Sequence, residues 1–400
     1  MREMKDSGIK WIGEIPQNWG LSKVKYVASI ASGIAISKEC YEDDGRYEIV
    51  GANGVVGYYS KWNNKRGCLT TGRVGTIGTV HKIEKAWVTD NALIVYENEN
   101  IVQDYLKYVI PNFDFKEMTA GTAMPLITAT KLYEQFVPMP RFYEQVQIAA
   151  YLDSKCSEID AISADIQKEI ETLEQYKRSV ITEAVTKGLN PEAETKKSTI
   201  FYMAPYNSEW HLSKIGYECT KLARPFSPAD MPLLCTNKGK VSPRPSDMTG
   251  KMVSEDNAMQ GIHKGDIAIH GMDTWHGAIA MSEYDGKITR VVHVCDSKQD
   301  KRFIVYYLQQ LAFNDVYKLI SFGIRGNTSD FRSWDKVKDI YIALPDIDEQ
   351  QKISDFLDLE CRRVEDIVSE KKKQLDVLDA YKKSLIYEYV TGKKEVPVQN

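Results

Sequence analysis

Residues 143–153 read YEQVQIAAYLD and residues 348–358 read DEQQKISDFLD, two versions of one phrase set 205 residues apart. The same shift holds without a gap from 137–188 to 342–393. Identical pairs include Pro140/Pro345, Glu144/Glu349, Gln145/Gln350, Asp153/Asp358, Cys156/Cys361, Tyr176/Tyr381 and Lys177/Lys382. A match of this length implies two copies of one structural unit. A second echo, Trp19-Gly-Leu-Ser-Lys23 returning as Trp210-His-Leu-Ser-Lys214, has a shift of 191, so the intervening material differs in length. The chain therefore alternates variable block, shared segment, variable block, shared segment.

The shared segment has helical periodicity. In the first copy Ile148, Leu152, Ile159, Ile162, Ile166, Ile170 and Leu173 recur at steps of three, four or their sums, as do Ile353, Leu357, Val364, Ile367, Leu375 and Leu378 in the second. No Gly or Pro interrupts 144–187, and Gly188 with Pro191 supplies a stop. At 1.5 Å per residue each helix would be roughly 65 Å long, and one apolar stripe of that length needs a partner. The other copy is the economical one. Pairing antiparallel about a pseudo-two-fold axis would put the variable blocks at opposite ends of a rod.

The variable blocks contain short β-branched and aromatic runs bounded by Gly, Asn and Asp, such as YEIVG, WVTDNALIVYE and GDIAIHG. Asp285-Gly286 reads as a hairpin turn, and 104–110 and 303–313 as one short helix each. The expected class is α+β: a first domain over 1–140, a long helix over 141–188, a linker over 189–208, a second domain over 209–341, a second long helix over 342–393 and a tail over 394–400.

The net charge of −4 is unevenly spread. Residues 141–200 carry 8 basic against 11 acidic residues and 342–400 carry 10 against 13, while 1–140 balance at 16 each. The acidic excess thus lies with the helices. No run approaches a membrane span and no secretory leader is evident, so a cytoplasmic location without membrane contact is expected. Seven scattered cysteines without a Cys-x-x-Cys pair read as reduced, mostly buried thiols.

Catalytic signatures are missing. TTGRVGTIGTV (70–80) lacks both phosphate-loop patterns, so its glycines read as turns. His270, Asp273 and His276 stand three apart in a β-rich stretch, a spacing that does not converge on a metal. Neither an Asn-Pro-Pro-aromatic segment nor a Gly-x-Ser-x-Gly elbow is present. The expectation is a non-catalytic chain with no metal and no cofactor of its own. Two diverged modules on a symmetric frame suit recognition at two places, as on a DNA duplex with its local two-fold axes.

The architecture, the opening SGIKWIGEIPQNWGLSKVKYVA, the segment GTAMPLITATKLYEQFVPMP and the ending VKDIYIALPDIDEQQKISDFLD resemble the specificity subunit of Type I restriction-modification enzymes. The likeness spans essentially the whole chain. It implies two target-recognition domains, each reading one half of a bipartite site in double-stranded DNA, with helices that set the spacer and bind two methyltransferase subunits. Methylation with S-adenosylmethionine, and ATP- and Mg²⁺-dependent translocation and cleavage by restriction subunits, would belong to those partners. The second block opens Ala204-Pro-Tyr-Asn-Ser-Glu-Trp210, departing from the fuller form in the first half.

Phosphates call for Lys, Arg and small polar donors, and base edges for forked or amide side chains delivered from loops. The candidates are Lys61, Asn63, Asn64, Lys65, Arg66, Arg73, Thr128, Thr130 and Lys131 in the first domain. In the second they are Lys238, Lys240, Arg244, Arg325, Asn327, Ser329 and Arg332. Trp87 and Trp275 read as core. A different class of function, a helical scaffold holding two protein-binding modules, is also compatible with the near-neutral charge, and salt-dependent DNA binding would distinguish the two.

Overall fold

The computed structural model describes residues 2–119, 126–236, 239–245, 258–321 and 330–397. The chain divides into two compact units, 1–166 with 373–400, and 167–372, so each unit holds one variable block and part of both long helices.

In the first unit, Met4–Asp6 pairs with Glu14–Pro16, and Gly20–Lys23 pairs antiparallel with Phe136–Met139, the strand that leads into the first long helix. A four-stranded sheet orders Ala28–Ser32, Ala92–Glu97, Cys68–Gly72 and Val80–Ile83; a three-stranded one orders Gly54–Tyr59, Tyr47–Gly51 and Ala86–Val88. Ala92, Leu93, Ile94 and Val95 are all buried because their strand is covered on both faces, which explains a continuous apolar run instead of alternation.

The second unit repeats the plan. His211–Lys214 pairs with Tyr341–Leu344, and a sheet orders Cys219–Lys221, Val292–Ser297, Ile267–His270 and Ile279–Met281. The helices Gln103–Val109 and Lys301–Phe313 occupy equivalent places. The echoed Trp-x-Leu-Ser-Lys is thus the strand that receives the chain's return before each long helix.

Two local expectations change. Residues 189–208, read as a linker, contain a hairpin, Thr195–Lys196 with Tyr206–Asn207, at the 191-residue shift from the N-terminal Met4–Pro16 hairpin. Asp285-Gly286 is no hairpin turn: Gly286–Thr289 pairs with Met259–Ile262, and the Asp285 carboxylate instead accepts the Lys264 amide at 2.8 Å.

The long helices are Phe142–Lys187 and Ile347–Val390. Gly188 (φ 87°) follows the first and Gly392 (φ 72°) lies just past the second, each in the left-handed conformation that ends a helix at low cost in glycine. Under the 205-residue shift Gly188 aligns with Lys393, so the stop has moved by one residue.

Along each helix, steps of four and three alternate to make a heptad seam: Leu152, Cys156, Ile159, Ser163, Ile166, Ile170, Leu173, and Leu357, Cys361, Val364, Val368, Lys371, Leu375, Leu378. Ile162 and Ile367 fall off it, at 50% and 46% exposure, although each stands three residues from a seam position. Periodicity assigned them to the packed face because three-residue spacing fits either side of the stripe. Val368, buried at 9%, holds the place given to Ile367.

Candidate nucleic-acid interface

The repeated phrase is a socket that fixes each variable block to its helix. Glu144 accepts the Trp19 indole N–H at 3.1 Å, and Glu349 accepts that of Trp210 at 3.3 Å. The Gln145 side-chain oxygen takes the Val102 amide at 2.8 Å while its nitrogen donates to Pro140 O; Gln350 does the same with the Asp300 amide, at 3.1 Å, and Pro345 O. Asp153 accepts from the Tyr108 hydroxyl at 2.6 Å, and Asp358 from Tyr306 at 2.8 Å. Cys156 and Cys361 lie buried beside these tyrosines, and burial pushes both thiols up from their ordinary value. Six of the seven free cysteines are buried, Cys40 being exposed.

The helices pair antiparallel within each unit. In the second, Lys177 bonds Glu365 at 2.6 Å and Lys371 bonds Glu169; in the first, Lys382 bonds Asp160 at 2.6 Å and Tyr151 packs on Tyr389 with ring centroids 4.6 Å apart. Residue numbers rise on one helix as they fall on the other. The 205-residue shift converts Lys177 to Lys382 and Asp160 to Glu365, so one side-chain pairing serves both units with the copies exchanged.

The candidate contact residues divide by what already occupies them. Asn63 clamps Val88, its amide nitrogen on Val88 O and its oxygen on Val88 N, both at 2.8 Å. Asn64 is buried, donating to Arg66 O and Glu84 O and accepting from Ala86 N. Arg66 is bound to Glu97 at 2.6 Å, Lys131 to Met118 O, and Lys240 to Glu365 at 2.9 Å. Thr128 caps the short helix Ala129–Tyr133, accepting from Lys131 N. Lys61, Lys65, Thr130 and Arg332 are exposed, and Arg73 and Arg244 half-buried. Lys238, Arg325, Asn327 and Ser329 lie outside the described residues.

Arg73 stands in a knot of backbone bonds in the first unit, and Arg332 directly follows a residue of the same knot in the second. In the first, Arg73 N donates to Asn91 O at 3.0 Å and Arg73 O accepts from Ile127 N at 2.9 Å; in the second, Gly271 N donates to Val291 O and Gly271 O accepts from Phe331 N, both at 3.0 Å. Three chain segments separated by up to 60 residues of sequence are thereby tied together in each unit.

Trp87 and Trp275 are half-buried, the former donating its indole N–H to Ile34 O at 3.0 Å and the latter packing on the second unit's core. His270 and Asp273 lie 3.3 Å apart. Among the described residues no group of His, Cys, Asp and Glu is arranged to hold a metal, and no helix is long and apolar enough to cross a membrane.

The Trp–Glu locks were not found by reading the sequence, although both halves of each pair lie in the quoted echoes. Two different shifts, 191 for Trp and 205 for Glu, hid the fact that they meet.

Twice-repeated α+β blocks, each plugged by one Trp–Glu lock into a long helix that pairs with its own repeat, define a two-module frame protein. The family model of the Type I restriction modification DNA specificity domain matches residues 16–172. The chain is 22% identical over 434 residues to the type I restriction enzyme MjaVIII specificity subunit of Methanocaldococcus jannaschii, covering 96% of this chain and 94% of that one. It is 19% identical over 330 residues to the EcoDI specificity subunit of Escherichia coli, covering 76% and 73%. A solved chain described under "Structural basis underlying complex assembly and conformational transition of the type I R-M system" shares the fold, with a TM-score of 0.66 over 95% of this chain and 99% of that one at 13% identity. Over most of its length the chain is thus similar to specificity subunits of Type I restriction enzymes, and residues 16–172 match the DNA specificity domain of that family.

Proposed function

We propose that this chain is the non-catalytic, DNA-reading subunit of a cytoplasmic methyltransferase assembly. Residues 1–140 and 209–341 act as two target-recognition domains, one for each half of an asymmetric bipartite site in double-stranded DNA. The helices fix the unread spacer and dock two methyltransferase subunits. Those partners, with restriction subunits where present, supply the chemistry that uses S-adenosylmethionine, ATP and Mg²⁺.

The observation that carries this reading is the exchanged pairing of Lys177–Glu365 and Lys382–Asp160. It supports a symmetric frame under two blocks that have diverged, as a split and non-palindromic target requires. Repeat-related exposed side chains, Ile162 with Ile367 and Tyr176 with Tyr381, give each unit an apolar pair available for a partner subunit.

Replacing residues 20–140 by those of a relative, in the complex with its methyltransferase, tests the assignment. One half of the methylated motif should change while the other half and the gap persist. An unchanged motif overturns the domain assignment, and binding that is indifferent to salt overturns DNA reading itself.

A further inference from the structure

We infer that each half-site contains a guanine read by a single arginine from the knot described above, Arg73 in the first domain and Arg332 in the second. This rests on the DNA-reading function proposed above and adds which residues select the sequence and which base they take.

The hydrogen bonds of the knot make Arg73 the counterpart of Gly271 and Ile127 the counterpart of Phe331, so Arg332 stands where the first domain has Thr128. The two arginines therefore stand at neighbouring positions of one knot, Arg73 within it and Arg332 next to it, on different chain segments. The local geometry explains the exchange. A Cβ at Gly271 would lie 2.6 Å from Phe331 O, so the second domain cannot carry an arginine there without moving the backbone. In the first domain Thr128 is committed to capping the short helix; in the second the cap is Ser333, one residue later, which releases position 332 for another use.

Both arginines stand on fixed backbone and have no carboxylate partner among the described residues. Arg73 is held at both N and O, and among the described residues its guanidinium reaches only Ser32 Oγ, at 3.5 Å, with Nε buried and unbonded. Arg332 follows Phe331, which is 2% exposed and whose N and O are bonded to Gly271 O and His293 Nε2. Among the described residues the Arg332 guanidinium bonds only Met272 Sδ. By contrast Arg2, Arg66, Arg224, Arg302 and Arg363 all end on carboxylates. A pre-positioned, unneutralised fork fits the O6 and N7 edge of guanine in the major groove, where lysine gives a poorer match.

The test uses the intact subunit with its methyltransferase, sequencing methylated DNA to obtain the motif and measuring methylation rates on duplexes altered at each position. Wild type should show a guanine in each half-site. Arg73→Lys should reduce the preference for that guanine about 5- to 150-fold in one half and leave the other half intact. Arg332→Lys, on an exposed side chain where folding is not at issue, should do the same in the opposite half. A half-site without a G·C pair overturns the inference, as does a variant that slows methylation of all sequences equally, the signature of a phosphate contact. A wild-type complex that yields no two-part motif overturns the underlying DNA-reading function instead.

Discussion

Lys177 Nζ lies 2.6 Å from Glu365 Oε1, and the 205-residue repeat carries this pair onto Lys382 and Asp160, which are bonded at 2.6 Å in the other unit. Glu365 also receives Lys240 at 2.9 Å, so in the second unit one carboxylate ties helix to helix and domain to helix. Burial pushes its carboxyl up, but the two lysines outweigh burial and hold it below its ordinary value. A depressed carboxylate contributes stability above its unfolded pKa and loses it as pH falls through the folded one. Glu365→Gln should therefore cost about 0.5–1 kcal/mol at neutral pH, more at low salt, and flatten the acid limb of the second unit's unfolding curve. Denaturant titration across pH 3–7 checks this; an acid limb unchanged in the variant would refute it.

The heptad seam predicts unequal costs for two apolar residues on one helix. Leu357 is fully buried and Ile367 is 46% exposed. Leu357→Ala should destabilise by about 2–5 kcal/mol, through lost burial and the cavity left behind, whereas Ile367→Ala should fall within about 0.5 kcal/mol. Equal losses in chemical denaturation would show that the seam runs through Ile367 after all.

Glu144 holds two groups: the indole of Trp19, itself 1% exposed, and the Arg2 guanidinium at 2.6 Å. Glu144→Ala leaves a buried indole N–H unpaired and takes one of two carboxylates from Arg2, which keeps Glu395, for an expected loss of about 2–3 kcal/mol. Trp19→Phe combined with Glu144→Ala should lose less than the sum of the two single changes, because the deserted donor is gone. Strict additivity in a double-mutant cycle would mean that the lock has no energetic coupling.

The frame was legible because a repeat is its own control. Any residue kept at a shift of 205 reports a shared role, and the helical period is long enough to count. What escaped was set by contacts remote in sequence. Asn63, Asn64 and Arg66 look like donors for DNA until the strand Ala86–Val88 and Glu97 are seen to occupy them. Arg73 and Arg332 have no sequence shift in common with the helices, and only the backbone bonds around Gly271 align them. Ile162 and Ile367 show the limit of periodicity, since a stripe read at three-residue steps drifts off a seam that alternates four and three.

His293 has Leu93 as its counterpart in the first unit, because His293 pairs with Ile269 across the sheet as Leu93 pairs with Thr71, and both positions are buried. Its Nε2 bonds Phe331 O at 2.7 Å, while Nδ1 is buried with no partner among the described residues. Burial pushes the imidazole below its ordinary value; the Phe331 carbonyl opposes that shift and the nearby Lys221 and His270 reinforce it. His270, also lowered by burial, is partly offset by Asp273. Both imidazoles thus take up protons less readily in the folded chain than in the unfolded one, where they do so near pH 6.5. Stability of the second unit should be complete above that pH and decline as pH falls from there through the lower folded values. His293→Leu should lose about 1 kcal/mol at pH 7.5, where the Phe331 carbonyl is deprived of its donor, yet show a shallower decline toward pH 5, with His270 supplying the remaining slope. Unfolding midpoints from pH 5 to 7.5 measure both effects. A decline as steep in the variant as in the wild type would remove His293 from the account and leave the acid sensitivity to His270.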